Sequence, residues 1–467
     1  MKPATMNLTK GPVGRGLIRF AMPLLLGLIL QQLYNTADAW VLGNFGSETA
    51  LAAVTSTGSL TFLIVGFFNG TAIGGGVVIS KYVGMRDREQ VRASVHNNML
   101  LAVLFSVIAT AAGLLLTPMI LRLMNTPESV LPDSQTYLSI YFAGIAGMIL
   151  YNTCMSVMRS LGDSTHPLYY LIISSLTNIA LDLLFVAVFR MGTAGAAVAT
   201  VISQALSSVL CLIRMIRARD DSRLQMKYLK PDRKMIREIL VQGIPTGIQN
   251  SVISIGNMVV QGNINLFDQM YEAGSGLVIA GQGAYSKVEG FVFLPVNCMS
   301  MSLPTFVSQN LGAKEYDRAK RSAVFGSLCG MICAEIIGIL LNIFAPQVIG
   351  LFTDNAVAIR YGTLHARTTT LFYFLLAFSH CAAGVLRGCG KAFIPMATML
   401  SFWCVFRTVY VTLIVRVWTE YQAIALCYPI TWTLSTVLFL AVLLKSDWLH
   451  GLEGKKRKTV EPEHPSA

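Results

Sequence analysis

Charged residues are scarce in this chain of 467 residues. Only 13% are Asp, Glu, Lys or Arg, whereas a soluble globular protein carries about 25%. Apolar residues make up 54% of the chain, and the mean hydropathy is +0.59. Apolar runs such as 100–116, 168–188 and 330–344 are close to the ~20 residues that cross a bilayer as a helix. Because these runs are continuous rather than alternating, they favour helices over barrel strands. The sequence predicts an all-α integral membrane protein.

Motifs of enzymes and metal sites are missing as well. The chain has neither a GxxxxGK[ST] phosphate loop nor an HExxH zinc motif. Its nine cysteines include no CxxC pair, so we expect them to act as small packing side chains. His380 could titrate within a predicted span, but a hydrogen-bonded packing role is favoured. These absences argue against an enzyme, and we expect no cofactor and no structural metal.

Hydropathy predicts twelve transmembrane helices, six in each half of the chain. Their approximate bounds are 17–42, 51–77, 95–118, 135–158, 167–189, 194–216, 238–262, 276–303, 322–345, 365–386, 394–416 and 422–445. We expect an N-terminal lobe over 1–216, a charged linker over 217–237, a C-terminal lobe over 238–446 and a tail over 447–467. The first apolar run is long enough to be retained as a span rather than cleaved as a signal peptide.

The two halves repeat one another. MRSLGDSTHP at Met158–Pro167 matches LRGCGKAFIP at Leu386–Pro395 with an offset of 228. The same offset aligns Ser80–Ser94 with Ser308–Ser322, and an offset of 222 aligns Pro23 with Pro245. Six spans per half give both halves the same orientation, which is a parallel repeat about an axis along the membrane normal. Such a duplication is typical of transporters built from two lobes around a central path.

Basic residues predict the orientation in the membrane. With the N-terminus inside, 29 of the 36 Lys and Arg residues fall on the inner side and five on the outer side. This distribution is a strong positive-inside signal and places both termini in the cytoplasm. The net charge of +12 therefore reflects topology in the cell membrane rather than nucleic-acid binding.

Ionisable residues inside spans are costly and usually mark pathways or proton relays. Asp38, Asp182 and Thr200 are predicted at similar depths, about 6–10 Å below the outer ends of their helices. Asn178 precedes Asp182 by four residues and shares its helix face. This set suits a hard cation or a proton that two nearby carboxylates would bind. The alternative is that one aspartate pairs with a polar neighbour or lies at the outer interface.

Further polar residues are candidates for a substrate cavity. Gln31, Tyr34 and Asn35 form a polar stripe with Asp38 on the first helix, which should face the bundle interior or a water-filled cavity. In the second half the candidates are Asn257, Gln261, Lys287 and Glu289. Pro23 and Pro245 lie in equivalent helices and permit kinks, which would serve either as gating hinges or as fixed bends.

The twelve spans, the parallel repeat, the paired prolines and the repeated [LM]RxxGxxxxP step resemble the multidrug and toxic compound extrusion (MATE) family. The likeness is closest to the prokaryotic branch that includes DinF-like and MepA-like proteins. In that branch a cation site in the N-terminal lobe uses an Asp of the first helix, an Asn and an Asp of the fifth, and a Thr of the sixth. This pattern matches Asp38, Asn178, Asp182 and Thr200.

The resemblance implies a monomeric exporter of cationic or amphipathic compounds in antiport with Na⁺ or H⁺, working by alternating access. Another branch of the family has acidic ligands in the seventh and tenth helices, where this chain offers Asn257, Gln261 and His380 but no carboxylate. The coupling ion is therefore expected in the first half. A lipid or lipid-linked oligosaccharide flippase of the wider superfamily is the alternative function.

The proposed cation ligands have no counterparts in the second half. The repeat offsets align Asp38 with Val260, Asn178 with Phe406, Asp182 with Tyr410 and Thr200 with Tyr428. We therefore expect two lobes with a shared scaffold, of which only the first binds the driving ion.

Overall fold

The structure is a computed structural model that describes residues 6–45, 48–123, 126–218, 220–272, 274–418 and 420–452. All regular secondary structure in this part of the chain is helical. The helices of the first half are α1 Val13–Phe45, α2 Glu48–Met85, α3 Arg88–Leu123, α4 Leu131–Ala143, α5 Ile145–Ser160, α6 Thr165–Asp182 and α7 Gly192–Arg217. A π-helical turn, Leu183–Val188, extends α6.

The second half repeats this order with more interruptions. Its helices are α8 Arg233–Tyr271, α9 Leu277–Gly312, α10 Tyr316–Ile343, α11 Ala345–Gly350, α12 Ala356–Thr369, α13 Tyr373–Gly388, α14 Phe393–Met399, α15 Arg407–Val417, α16 Tyr421–Ala425 and α17 Cys427–Lys445. A 3₁₀ turn joins α12 to α13, and a π-helical segment, Leu400–Phe406, joins α14 to α15.

Ten helical segments are long and apolar enough to cross a membrane, and an eleventh results if α4 and α5 are counted as one span. These two helices bend by 49° at Gly144, where a single straight span was predicted over 135–158. Helix α8 supplies the twelfth long segment, with 39 residues and a more polar sequence than the others. The prediction of an all-α integral membrane protein is confirmed, and twelve helices in two six-helix lobes are consistent with the structure.

The repeat is visible in the backbone as well as in the sequence. Gly162 and Gly390, which the offset of 228 aligns, both have positive φ angles, 87° and 77°. Glycine is the residue that adopts this conformation without a steric cost. Arg86 and Lys314, another aligned pair, have φ angles of 58° and 61° after the second helix of each half. Equivalent turns therefore end equivalent helices in the two halves.

The first helix of each half packs its N-terminal part against the other half. Leu17 and Phe20 of α1 lie in one apolar cluster with Phe306 of α9. Ile239 of α8, aligned with Leu17, packs in a cluster with Val78 of α2. Helices α1 and α8 therefore bridge the lobes and bind them together at the end of the bundle that carries the basic loops.

Polar contacts close this basic end further. Lys81 Nζ and Tyr82 Oη of α2 contact the carboxylate of Glu238 on α8 at 2.6 and 2.7 Å. Ser308 Oγ donates to the Val77 carbonyl at 2.9 Å, and Gln309 Nε2 donates to the Ser160 carbonyl at 2.7 Å. The segment from α7 to α8, in the region predicted as the linker, is fixed to α3 because His96 Nε2 accepts from the Gln225 amide. Residues 453–467 of the predicted tail lie outside the described residues.

The outer faces of the bundle are apolar. Leu115 on α3 is 78% exposed, and Val107 and Met119 on the same helix are also exposed, as are Ile332 and Ile336 on α10. Continuous apolar surface of this kind marks contact with the hydrocarbon core of a bilayer.

Candidate cation site

Three helices of the first half converge around the predicted ligands. Val41 and Leu42 of α1, Val186 of the π turn and Ala196 of α7 form one buried apolar cluster. Residues three or four apart in a helix lie on the same face. Asp38, Asp182 and Thr200 are each one turn from a member of this cluster, so their side chains lie together one turn further into the bundle. The apolar cluster covers this polar group.

The structure brings the two carboxyl groups together. The side chains of Asp38 and Asp182 lie within hydrogen-bonding reach of one another. Asp182 is 2% exposed and Asp38 is partly buried. As carboxylates, neither can donate a hydrogen bond, and their charges repel. The pair is therefore incomplete without a proton or a cation between or beside the oxygens.

Asn178 lies one turn deeper on the same face of α6 and is also 2% exposed. Near it, Ser174 Oγ donates to the Ser203 carbonyl at 2.7 Å, which fixes α6 against the antiparallel α7. Asn178 lies four residues after Ser174 on α6, and Thr200 lies three residues before Ser203 on α7. Because the two helices are antiparallel, Asn178 and Thr200 lie at nearly the same depth in the bundle. The Thr200 hydroxyl donates to the Ala196 carbonyl at 3.0 Å, so its lone pairs remain available to a cation.

Five buried polar atoms of this group have no hydrogen-bond partner among the described residues. They are Asp38 Oδ1, Asp182 Oδ1 and Oδ2, and Asn178 Oδ1 and Nδ2. Leaving a buried polar atom unpaired costs about 1–3 kcal/mol, and more for a charged group. A concentration of such atoms in one place indicates a site where a proton, a cation or water is bound.

Two tyrosines complete the surroundings of the site. Tyr34 of the predicted polar stripe interacts with Gln31 and lies near both carboxyls. Tyr137 of α4 also lies near both, and sequence analysis did not identify it. The sequence shows only that Tyr137 and Tyr141 are four residues apart and so share a helix face; in the structure their rings stack with centroids 6.2 Å apart. Gln31 and Asn35 are exposed, so the stripe divides between the site and an open surface.

The candidates of the second half do not form a matching site. Asn257 is exposed and accepts a hydrogen bond from Arg407 Nη1 at 3.1 Å, and Gln261 Nε2 donates to Asn265 at 3.0 Å. Lys287 is exposed, with its ammonium 5.8 Å from the centre of the Phe352 ring.

Glu289, two residues from Lys287, faces the interior of the second half. Its Oε1 accepts from Tyr285 Oη at 2.9 Å, and this hydroxyl also contacts Tyr373 and Thr369 at 2.8 Å each. The carboxylate is therefore built into a network of hydroxyl groups, which the hydropathy of the sequence did not reveal.

Arg407 occupies the centre of the second half. It is 1% exposed, and its Nη2 donates to Thr431 Oγ1 at 2.8 Å in addition to the bond with Asn257. The rings of Trp403 and Tyr428 lie 5.3 and 4.7 Å from its Cζ atom, within the range of cation–π attraction. The guanidinium is therefore held by hydrogen bonds and by aromatic faces.

Pro23 and Pro245 lie within continuous helices. Pro23 lies within the part of α1 that packs on the second half, since Leu17 before it and Leu24 after it belong to the same apolar cluster as Phe306. Asp38 lies about four turns further along the helix. Among the described residues there is no group of three or more His, Cys, Asp or Glu side chains that could hold a metal ion. The candidate site instead combines two carboxyls with amide and hydroxyl oxygens.

Comparison with known proteins identifies the family. A sequence model of the MatE family matches residues 23–184 and 248–413, one stretch in each half. The probable multidrug resistance protein YpnP of Bacillus subtilis is 29% identical to this chain, and the alignment covers 85% of this chain and 87% of YpnP. The multidrug export protein MepA of Staphylococcus saprophyticus is 22% identical, with coverage of 82% and 83%.

The solved structures share the fold. An outward-facing multidrug resistance MATE transporter of the MOP superfamily superposes with a TM-score of 0.88 at 20% identity, covering 97% of this chain and 99% of that one. The matched family segments account for well over half of the chain, so the resemblance inferred from the sequence is confirmed. The chain is a multi-pass membrane protein that belongs to the MatE family of multidrug and toxic compound extrusion transporters, and not to a family of enzymes.

Proposed function

We propose that this protein is a secondary active multidrug efflux transporter of the cell membrane. It exports cationic or amphipathic compounds in antiport with Na⁺ or H⁺ by alternating access, as a monomer with both termini in the cytoplasm. The observation that carries the proposal is the group of five unpartnered polar atoms on Asp38, Asn178 and Asp182. An antiporter needs a site of this kind, because its coupling ion must bind and leave. A side chain that permanently satisfied these polar atoms would prevent that exchange.

The chemistry of the site suits either coupling ion. A proton shared by Asp38 and Asp182 would remove their repulsion and supply the missing donor. A sodium ion would take oxygens from both carboxyls, from Asn178 and from Thr200, the ligand type that hard cations prefer. In both cases the bound proton or ion supplies a partner to polar atoms of Asp38, Asn178 and Asp182 that have none among the described residues.

Helix α1 provides a physical link from this site to the rest of the molecule. Its N-terminal part packs on α9 and α10 of the second half, while Asp38 lies against α6 in the first half. Drawing Asp38 toward a bound ion therefore moves a helix that touches both lobes. Pro23, which removes one backbone hydrogen bond within the part of α1 that packs on the second half, is the position at which α1 would bend.

The contacts at the basic end support an outward-open arrangement. Lys81 and Glu238, together with Gln309 and Ser160, hold the lobes together there. Farther along α1 and α8, Gln31, Asn35 and Asn257 are exposed polar residues. A central cleft would then open away from the basic end, which the distribution of Lys and Arg assigns to the cytoplasm.

Reconstitution tests the proposal. Purified protein in proteoliposomes loaded with a fluorescent cationic dye is exposed separately to an inward Na⁺ gradient and to an inward proton gradient. We expect one of the two gradients to accelerate dye export, and we expect Asp38→Asn and Asp182→Asn each to remove that acceleration. Full coupled export by both variants, or export that responds to neither gradient in the unmodified protein, would rule the proposal out.

A further inference from the structure

The repeated [LM]RxxGxxxxP step places an arginine at the same position in each half, Arg159 and Arg387. The backbone register around them is equivalent. Ser156 Oγ donates to the Ala72 carbonyl at 2.7 Å, and in the second half the aligned Gly384 lies against the carbonyl of Ser300, which is aligned with Ala72. Differences between the two arginines therefore arise from their side-chain surroundings.

Both Nη groups of Arg387 have hydrogen-bond partners. Arg387 is 6% exposed, its Nη1 donates to Gln249 Oε1 at 3.2 Å, and its Nη2 donates to Ser300 Oγ at 3.1 Å. The two acceptors come from α8 and α9, the first two helices of the second half. The guanidinium of Arg387 therefore links α8 and α9 to α13 through hydrogen bonds.

The first half lacks both acceptors. Gly27 stands at the position aligned with Gln249, and Ala72 stands at the position aligned with Ser300. The register at Gly27 is confirmed by packing, because a side chain there would meet Leu171, and Gln249 contacts Met399, which is aligned with Leu171. The repeat has kept the arginine and lost the groups that would bind it.

Within the described part of the chain, Arg159 has no hydrogen bond, ion pair or aromatic contact through its guanidinium. Its Nε is buried without a partner, as is that of Arg387, but Arg387 compensates through both Nη groups. The ionisable groups that act on Arg159 are Tyr151, Cys211 and Cys298, and none of them is a carboxyl. Within the described residues, no carboxylate compensates the positive charge of Arg159.

Arg159 lines a cavity between the two lobes. The cavity lies between α2, α5 and α9, next to the contacts that close the basic end. Eleven described residues line it, none of them acidic; the polar ones are Asn69, Asn152, Ser156, Arg159 and Thr305. Asn69 forms no hydrogen bond with the described residues through its side chain, so the cavity offers a second free polar group beside the guanidinium.

We propose that Arg159 is an oxyanion-binding subsite of the cavity between the lobes, and that it receives the carboxylate or phosphate group of a transported compound. A guanidinium binds either group through two parallel hydrogen bonds, and such charge-assisted bonds are strong where water is partly excluded. The subsite rests on the proposed transport function and extends it, because it adds zwitterionic and acidic amphipathic compounds to the substrates. It is separate from the candidate cation site on α1, α6 and α7.

A matched pair of dyes tests the subsite directly. Rhodamine 110 carries a free carboxylate, and rhodamine 123 is its methyl ester with the same xanthylium cation. Binding of each dye to the purified full-length protein is measured by fluorescence polarisation at neutral pH, without any ion gradient. We expect Arg159→Gln to weaken rhodamine 110 binding by about tenfold or more, the value of one charge-assisted contact, and to leave rhodamine 123 binding within about threefold. Arg159→Lys should fall in between because it keeps the charge but loses the planar fork.

Arg237→Gln, which removes the same charge from an exposed position on α8, is the control and should affect neither dye. Equal losses for both dyes, or unchanged rhodamine 110 binding, would overturn the subsite. If the unmodified protein binds neither dye, thermal unfolding with inorganic phosphate in place of chloride gives a second test at equal ionic strength. Because phosphate also stabilises folded proteins by exclusion from their surface, we expect it to raise the melting temperature of the unmodified protein more than that of Arg159→Gln, and equal rises in the two proteins would count against the proposal.

The phosphate of a lipid headgroup is a second source of the same chemistry. Competition by phosphatidylglycerol but not by glycerol 3-phosphate, lost in Arg159→Gln, would support the subsite with a lipid as its occupant. Failure of the transport proposal gives a different result, since dye binding would depend on Arg159 while no gradient drives export. Conversely, coupled export of both dyes at equal rates by Arg159→Gln would reject the subsite and keep the transport function.

Discussion

The two halves of this transporter share a backbone and differ in how they treat charge. Within the first half, Asp38, Asn178 and Asp182 carry polar atoms that no described residue satisfies. At the corresponding height of the second half, Arg407 donates to Asn257 and Thr431, which the repeat aligns with Asn35 and Ser203. In the proposed function the carboxyls of the first half bind an exchangeable cation or proton, whereas the guanidinium of Arg407 is held by fixed partners in the second half. A duplicated scaffold can therefore leave polar groups unsatisfied in one half and satisfy them in the other by changing a few side chains.

The largest expected effect comes from neutralising one carboxylate in the group formed by Asp38, Asn178 and Asp182. Asp182→Asn keeps the size of the side chain but removes the charge that a proton or cation would compensate. We expect gradient-driven export to fall by about tenfold or more, the range of a typical coupling between two sites, while the protein still elutes as a single species. Transport in proteoliposomes measures this. Glu335→Gln is the matched control, because that carboxylate of the second half accepts a bond from the Phe374 amide and should be dispensable. Similar losses of gradient-driven export in Asp182→Asn and Glu335→Gln would contradict the proposal that the coupling ion binds in the first half.

In the second half the expected effect is on stability rather than on coupling. Arg407→Met removes two hydrogen bonds from a charged donor, so Asn257 Oδ1 and Thr431 Oγ1 lose the guanidinium as a partner. The free energy of unfolding should fall by about 1.5–3 kcal/mol, visible as a lower melting temperature in detergent. Arg416→Gln, at the exposed end of the same helix, should leave stability unchanged. A stable Arg407→Met that loses ion coupling would show that the guanidinium takes part in transport.

The sequence was sufficient for the architecture, because its strongest signals are long apolar runs and a repeat. It also indicated Asp38, Asn178, Asp182 and Thr200 as candidate cation ligands, a role that stays a prediction, because polar residues in lipid-spanning helices are few and their depths can be compared. The bend at Gly144 was missed, because hydropathy over 135–158 is continuous and reports length rather than direction. Contacts between distant helices, such as Glu289 with Tyr373 or Tyr137 beside Asp38, depend on rotations of helices about their axes. A single sequence does not define these rotations.

Two equivalent crossings between the lobes, α2 with α8 and α9 with α1, provide the next comparison. Where α2 crosses α8, a Cβ atom on Gly70 would lie 2.6 Å from the Cα of Gly247. On α1, a Cβ on Gly16 would meet only the Phe306 ring at 3.5 Å, an ordinary contact distance. Gly70→Ala should therefore destabilise the protein by about 1–3 kcal/mol, the usual cost of overpacking, whereas Gly16→Ala should be neutral or slightly stabilising. Thermal unfolding compares them. Gly58→Ala, in open space on the same helix as Gly70, is the control for helix propensity. Equal effects at Gly70 and Gly16 would mean that the two crossings are equally tight.

The smallest expected effect concerns the ion pair at the basic end. Lys81 and Glu238 join α2 to α8, while the aligned positions, Gln309 and Gly16, cannot form an ion pair between α9 and α1. Because both side chains are partly exposed, a double-mutant cycle with Lys81→Gln and Glu238→Gln should give a coupling energy of only about 0.5–1 kcal/mol. Breaking the pair should nevertheless favour opening of this end, measured as faster labelling of a cysteine introduced at Asn69 in the interlobe cavity. Arg88→Gln is the control, since Arg88 is exposed and its nearest carboxylate, Asp221, is 4.0 Å away. Unchanged labelling would mean that the close contact of Gly70 with Gly247 and the hydrogen bonds of Ser308 and Gln309 to backbone carbonyls hold this end closed without the ion pair. The crossing of α2 with α8 would then differ from that of α9 with α1 only in how tightly the helices pack.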